Sequence, residues 1–450
     1  MAEGMLSRNG EIRIDEFGYV HSLRKELSRG GQGVVYRTKD PDIAIKQPLN
    51  PNTGEIDLDS DMGRVFRGVR SLPMPKGVRV ALPLSILRPG PDGPGYVMKL
   101  LRNMESLDCV FYLKKSDKER ILSGGLPLWL EGLPEEQALP LANYVRTGSM
   151  RKRLMALAGC AATLARLHAN GLVYCDLSPN NVFVNPKTDE VWLIDADNLR
   201  FEQKKGGASV FTPRFGAPEV VQGTDSSRAV SDSWSFAVMA FEIMTINHPF
   251  IGKRVLGPND SECGWDCEEK DDTSDFEGLD EKAYAGYFPF VDDVEDDSNE
   301  TCGTGLPREL VLSPTLRWMF QQTLGYGRIN PSKRIALDLW SMALAQAHDH
   351  SIVCPECKMS YYNTETTCPY CDSPNPPYAI IESDYWDMVV QEGAEELTIP
   401  HRLIHPYNLQ GFNDETEFHA AINFRRKTVE PVWGYPMLPN HLTFKFHEED

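Results

Sequence analysis

The sequence predicts an α+β chain in four parts: a β-rich lobe, a helical lobe, a small cysteine module and a β-rich end. Three observations carry that reading. From Val20 to about Leu101, short apolar runs alternate with glycine and proline turns. From Asn103 to about His350, apolar residues recur at helical spacing. Beyond lies Cys354-Pro355-Glu356-Cys357, then ten residues, then Cys368-Pro369-Tyr370-Cys371.

Residues 1–19 read as a polar lead-in. In the first lobe, 20–102, Leu27 to Tyr36 reads as strand, glycine turn, strand. Ile43-Ala44-Ile45-Lys46 is a short buried strand. Val78–Leu87 and Tyr96–Leu101 form a further pair around the turn-rich stretch Pro89 to Gly95. In the second lobe, 103–350, Arg151–Asn170 is the clearest helix, with Gly171 placed to end it. Ser233–Thr245 and Pro331–His348 also read as helices. An acidic insert, about 257–305, reads as a mobile surface excursion with local order at Tyr287-Phe288-Pro289-Phe290. The cysteine module occupies 351–373. The last segment, 374–450, carries alternating runs at Glu396–Ile399 and Leu442–Phe446 and predicts a small β-rich module.

The formal net charge is -19, which argues against nonspecific binding of nucleic acid or anionic membrane. Between Asp260 and Glu300 there are seventeen acidic residues and two lysines. No apolar run is long enough to cross a membrane. Met1-Ala2-Glu3-Gly4-Met5 lacks the basic start of a signal peptide, so a cytoplasmic location is expected. Four of the ten cysteines form the paired knuckles, and such spacing favours metal over disulfides. One tetrahedral Zn(II) on Cys354, Cys357, Cys368 and Cys371 fits; with all four positions taken by protein, the site is structural.

Chemistry concentrates at Tyr174-Cys175-Asp176-Leu177-Ser178-Pro179-Asn180-Asn181 and at Ile194-Asp195-Ala196-Asp197. Val182–Val184 and Val191–Ile194 read as strands joined at Pro186-Lys187-Thr188-Asp189. Phosphoryl transfer from ATP needs this layout: one carboxylate for the hydroxyl proton, an amide and a second carboxylate for the metal. The bland alternative is a buried hairpin with polar ends. Upstream, Ser28, Gly30, Gly31, Gly33 and Val35 form a glycine turn whose bare backbone suits phosphate. Lys46 then places an ammonium under the α and β phosphates; alone, such a lysine is usually a surface residue.

On these motifs the chain resembles the eukaryotic-type serine/threonine protein kinases over about residues 20–350. The resemblance implies a two-lobed protein-kinase fold with ATP in its cleft; the zinc ribbon and small β-rich module read from the residues follow it. By the same resemblance, Asp176 is the catalytic base, Asn181 and Asp195 hold Mg (or Mn), and Met98 backs the adenine pocket, with Lys99–Leu101 as hinge. Gly216-Ala217-Pro218-Glu219 looks like the segment closing the activation loop. Asp232 would brace the catalytic loop, and Arg334 would pair with Glu219. His168 reads as a packed structural histidine. The Glu219–Arg334 match favours a protein substrate over a small-molecule one.

The chain departs from the family pattern at several positions. Ser28 stands for the first glycine, Cys175 for an Arg that receives a loop phosphate, and Ser178 for a Lys. Ala196 and Asp197 stand for the Phe and Gly after the metal Asp. Activation by loop phosphorylation is thereby disfavoured, although Ser209 and Thr212 are available. Glu55, Asp59 and Asp61 are the candidate acidic partners of Lys46. These departures motivate an alternative, a pseudokinase scaffold that binds nucleotide without efficient transfer. Cys263, Cys267 and Cys302 read as free surface thiols, with a second metal site as the alternative. With its ribbon and insert, the chain is similar to bacterial kinases encoded with tellurium-resistance and phosphatase genes. That implies signalling or stress response, with a protein phosphatase or a metal-binding-domain protein as partner.

Overall fold

The computed structural model describes residues 12–30, 33–50, 52–58, 62–203, 211–257, 278–301, 305–393, 396–404, 418–433, 438 and 441–447. The chain forms two compact units, Met1–Met104 with Trp192–Phe201 and Glu105–Val191 with Glu202–Asp450. Gly31, Ser209, Asp59, Asp61, Cys263, Cys267 and Cys302 lie outside the described residues.

The first unit contains strands β1 (Ile12–Ile14), β2 (Val20–Gly30), β3 (Gly33–Thr38) and β4 (Ile43–Gln47), helix α1 (Met62–Arg70), then strands β5 (Pro83–Ile86) and β6 (Tyr96–Lys99). The six strands form one antiparallel sheet in the order β1-β2-β3-β4-β6-β5. Leu23, Ile45, Leu87 and Val97 pack together as one core cluster. Phe66 of α1 packs with Ile86 and Tyr96, its ring edge-on to Tyr96 at 4.3 Å. Burying those rings removes apolar surface from water and pins α1 to the sheet. The expected strand Val78–Leu87 is shorter. Residues 79–81 spend their backbone on Leu193 instead: Leu193 N donates to Arg79 O at 2.9 Å and Ala81 N to Leu193 O at 2.8 Å. Those two bonds fasten the strand before Asp195 to this unit.

In the second unit the helix Ala229–Thr245 is buried at every position from Ser231 to Thr245. A helix buried all round belongs in a core, and this one anchors the unit. The helix Ser149–His168 is rich in alanine, which lets Leu337–Asp349 approach closely; Ser341 Oγ donates to Ala158 O at 3.0 Å. The helix expected over Pro331–His348 is two pieces, a 3-10 turn Pro331–Lys333 and the helix from Leu337. Asn330 caps the turn, and Arg334 leaves it in extended backbone.

The acidic insert corrects another expectation. Residues 258–277 and 302–304 lie outside the described residues, and the described part is packed rather than a free excursion: Ala283, Phe290 and Val291 are buried, and Phe290 meets Phe241 edge-on at 5.1 Å. Asn299 donates to Phe250 O and Pro289 O, which holds the segment to the core. Ser351–Val353 and Ser360–Tyr362 pair antiparallel at the cysteine module. Further on, Tyr378–Glu382 lies between Asp387–Gln391 and Thr443–His447, and Phe418–Asn423 lies between Glu396–Ile399 and Thr428–Pro431.

Candidate active site and metal centre

In the first unit, β2 and β3 meet at the glycine hairpin, where Gly30 faces Gly33 and Ser28 faces Val35. A Cβ on Gly33 would lie 2.7 Å from the Gln47 carbonyl oxygen and 3.3 Å from Lys46 Cε. Only glycine lets this turn sit so close to the lysine. Ser28 and Gly30 are exposed and Val35 half-buried. Lys46 lies opposite Val35 on one side and Tyr96 on the other, with its side chain 8% exposed. Met98 is half-buried against the Phe66, Ile86 and Tyr96 cluster.

The Lys46 ammonium contacts the Asp195 carboxylate and, at 2.7 Å, Asp197 Oδ2. Glu55 is exposed and Asp59 and Asp61 lie outside the described residues; the partners observed are Asp195 and Asp197. Asp195 takes the left-handed backbone conformation, φ 56°, and a 3-10 turn Ala196–Asn198 follows. Burial works against the charge of Lys46, but the two carboxylates outweigh it and raise its pKa. Burial pushes the Asp197 carboxyl up to about 6, against the pull of Lys46.

In the second unit, Asp232 braces the loop before Asp176. Its Oδ2 accepts from Tyr174 N at 2.7 Å, and its Oδ1 accepts from Cys175 N at 2.9 Å. His168 Nε2 also lies 3.0 Å from Asp232, a structural contact in keeping with the sequence reading. Cys175 is held at φ 76°, a conformation costly for a non-glycine residue, and those two accepted bonds offset the strain. Asp176 is buried, and Thr212 Oγ1 donates to its Oδ1 at 2.8 Å. Asn181 Nδ2 donates to Asp176 O at 2.9 Å, which leaves the amide oxygen as the atom suited to a cation. Ser178 is buried, and its carbonyl accepts from Asn181 N at 3.0 Å. Glu219 and Arg334 form the expected fork, Nη1 to Oε1 at 2.7 Å and Nη2 to Oε2 at 2.8 Å.

Two roles were missed from sequence. Thr212 appeared only as a modification candidate, and Asp197 only as a lost glycine. The repeat Asp-Ala-Asp was the available signal for the second.

The four cysteine sulfurs lie within 4.8 Å of one another, with Cys354 to Cys371 and Cys357 to Cys368 both at 3.6 Å. Tetrahedral zinc with Zn–S of about 2.3 Å puts sulfurs about 3.8 Å apart, so the donor set fits. Burial pushes the Cys368 thiol up to about 11, whereas hydrogen bonding to Ser373 outweighs burial at Cys371 and lowers it to about 7. Four thiolates in this setting need a cation to offset their charge.

The protein kinase domain family matches residues 127–271. A probable serine/threonine-protein kinase of Dictyostelium discoideum is 34% identical over 267 residues, 56% of this chain and 43% of that protein. The DNA damage-responsive serine/threonine-protein kinase RqkA of Deinococcus radiodurans is 25% identical over 236 residues, 52% of this chain and 30% of its own length. Human ribosomal protein S6 kinase alpha-6 is 35% identical over 103 residues, 22% of this chain and 13% of its own. The chain thus spans less than half the length of these relatives. Residues 127–271 are thus similar to the protein kinase domain, and the relatives named are serine/threonine-protein kinases. Among the described residues, no helix is long and apolar enough to cross a membrane.

Proposed function

We propose that this chain is an ATP- and Mg-dependent serine/threonine protein kinase acting in signalling or stress response. The buried Lys46 ammonium held on Asp195 carries the reading, because a lysine is kept charged in such a site when anions are to be handled there. Lys46 orients the phosphates, and Asn181 and Asp195 are the magnesium ligands. Asp176 accepts or orients the proton of the substrate hydroxyl, and the Thr212 hydroxyl fixes the rotamer of that carboxylate. Bound magnesium neutralises charge on the phosphates. Ser28, Gly30, Gly31, Gly33 and Val35 would cover the nucleotide, with Met98 behind the adenine. Zinc on the four cysteines is structural, and the segment beyond it recruits partners, a protein phosphatase or a metal-binding-domain protein. The DNA damage-responsive relative supports a stress role, and the location is cytoplasmic.

The test is radiolabel transfer from ATP with Mg or Mn, with and without a generic basic protein substrate. Label on protein, reduced about 100-fold or more in Asp176→Asn and in Asp195→Asn, is the expected result. No label under any condition, with nucleotide still bound, would establish the scaffold instead. The Ser28 and Ala196 replacements are the observations that favour that second reading.

A further inference from the structure

A phosphate-orienting lysine is itself held by a carboxylate, and protein kinases supply one from a helix of the β-rich lobe. Helix α1, which packs on the 3-10 turn after Asp195, carries Arg64, Arg67 and Arg70 and, over its described residues Met62–Arg70, no Asp or Glu. The turn itself carries Asp197, only 7% exposed, with Oδ2 at 2.7 Å from Lys46 Nζ. Among the described residues, its Oδ1 has no hydrogen-bond partner. Burying a carboxylate is costly unless it is paired, and Lys46 is the cation that offsets the cost here. Asp195, the other carboxylate on Lys46, is the proposed metal ligand, and a cation there competes with the lysine for it. Asp197 then remains as the lysine's anchor.

We infer that Asp197 is the positioning carboxylate of Lys46, replacing the helix glutamate from a site two residues beyond the metal Asp. The inference rests on the proposed kinase reading for the role of Lys46. The side chain that replaces the flexible glycine thus supplies what α1 lacks. Completing the lysine's geometry depends on the Asp195–Asp197 turn rather than on a movement of α1.

The test uses the full chain and the variants Asp197→Asn, Asp197→Glu and Lys46→Met. Calorimetry compares the affinity for ATP with that for adenosine, with magnesium present. Phosphoryl transfer is measured in parallel. Asp197→Asn is expected to lower the preference for ATP about tenfold, as Lys46→Met does, with adenosine affinity unchanged and kcat/KM down by at least about tenfold. Asp197→Glu retains most of both. Removing a negative charge near the phosphates would by itself strengthen ATP binding, so the two explanations differ in sign. Equal or tighter ATP binding by Asp197→Asn would overturn the inference. If Asp197→Asn loses adenosine binding through misfolding, Asp197→Glu decides: loss of ATP preference with adenosine still bound sinks the idea, and retention supports it. If the wild-type chain transfers no phosphate yet shows the affinity pattern, the kinase reading fails and the lysine's positioning stands.

Discussion

Glu219 and Arg334 lie 115 positions apart, yet both nitrogens of the guanidinium fork meet both carboxylate oxygens. The Arg334 side chain is fully buried, and its guanidinium lies 4.9 Å from the Trp234 ring centroid. The guanidinium has no water to fall back on, and the Glu219 side chain is 14% exposed. Glu219→Gln keeps the shape and removes the charge, leaving the guanidinium buried without its anion. The expected loss is about 3–5 kcal/mol, read as a lower urea midpoint with an unchanged slope. A loss under about 1 kcal/mol would show that the carbonyls of Gly327 and Val230, which also accept from Arg334, are enough to hold it. This pair was legible in sequence because both partners sit in fixed motifs. The partners of Lys46 were not, because ion pairing depends on where chain segments meet.

The cysteine hairpin acts on an element far from it in sequence. Ser360 Oγ accepts from Arg151 N at 2.9 Å, and Ser149 Oγ accepts from Ser360 N at 2.9 Å. The first turn of a helix has amide donors with no partner inside the helix, and here one is met from 209 positions away. Holding the knuckles together therefore also holds the start of Ser149–His168. One zinc per chain is expected by metal analysis. A strong chelator should lower the melting temperature of the whole second unit, beyond any change at residues 351–373. Chelation that releases zinc and leaves melting unchanged would make the cysteine module an independent appendage. Helix ends were read from sequence to within a few residues at Ser149–His168. The break at Arg334 was missed, since an extended residue inside an apolar pattern is set by its distant partner.

At the scale of the molecule, a buried anion helps tie described residues of the 374–450 segment to the helical unit. Asp349, at the end of Leu337–Asp349, accepts from Trp386 Nε1 at 2.8 Å and from Arg402 Nε and Nη2, both at 2.7 Å. His348 beside it is buried, and burial together with Arg151 lowers its pKa to about 4, against the pull of Asp349. Its folded pKa is below the unfolded value of about 6.5, so between those values the unfolded chain binds a proton that the folded chain does not. Stability is therefore full above about pH 6.5 and falls as pH drops toward 4, by about 3 kcal/mol from this group. Buried His248, lowered to about 3 by burial and Arg214, adds in the same direction. Urea unfolding followed from pH 7.5 to 4.5 should show the slope, and His348→Gln should flatten part of it. An unchanged slope in that variant would assign the acid sensitivity elsewhere.

Local text alone determined the order of elements, the glycine turn, the Asp176, Asn181 and Asp195 set and the cysteine knuckles. Each of these is written in residues close together, where backbone conformation and ligand spacing are local properties. Tertiary structure alone decided that Lys46 meets Asp195 and Asp197, that Thr212 meets Asp176, and that Ala283, Phe290 and Val291 of the acidic stretch are buried. Composition marked that last stretch as an acidic surface. Phe290 nevertheless packs inside, because one aromatic ring buried against Phe241 outweighs the exposed carboxylates around it, which cost little while they stay in water.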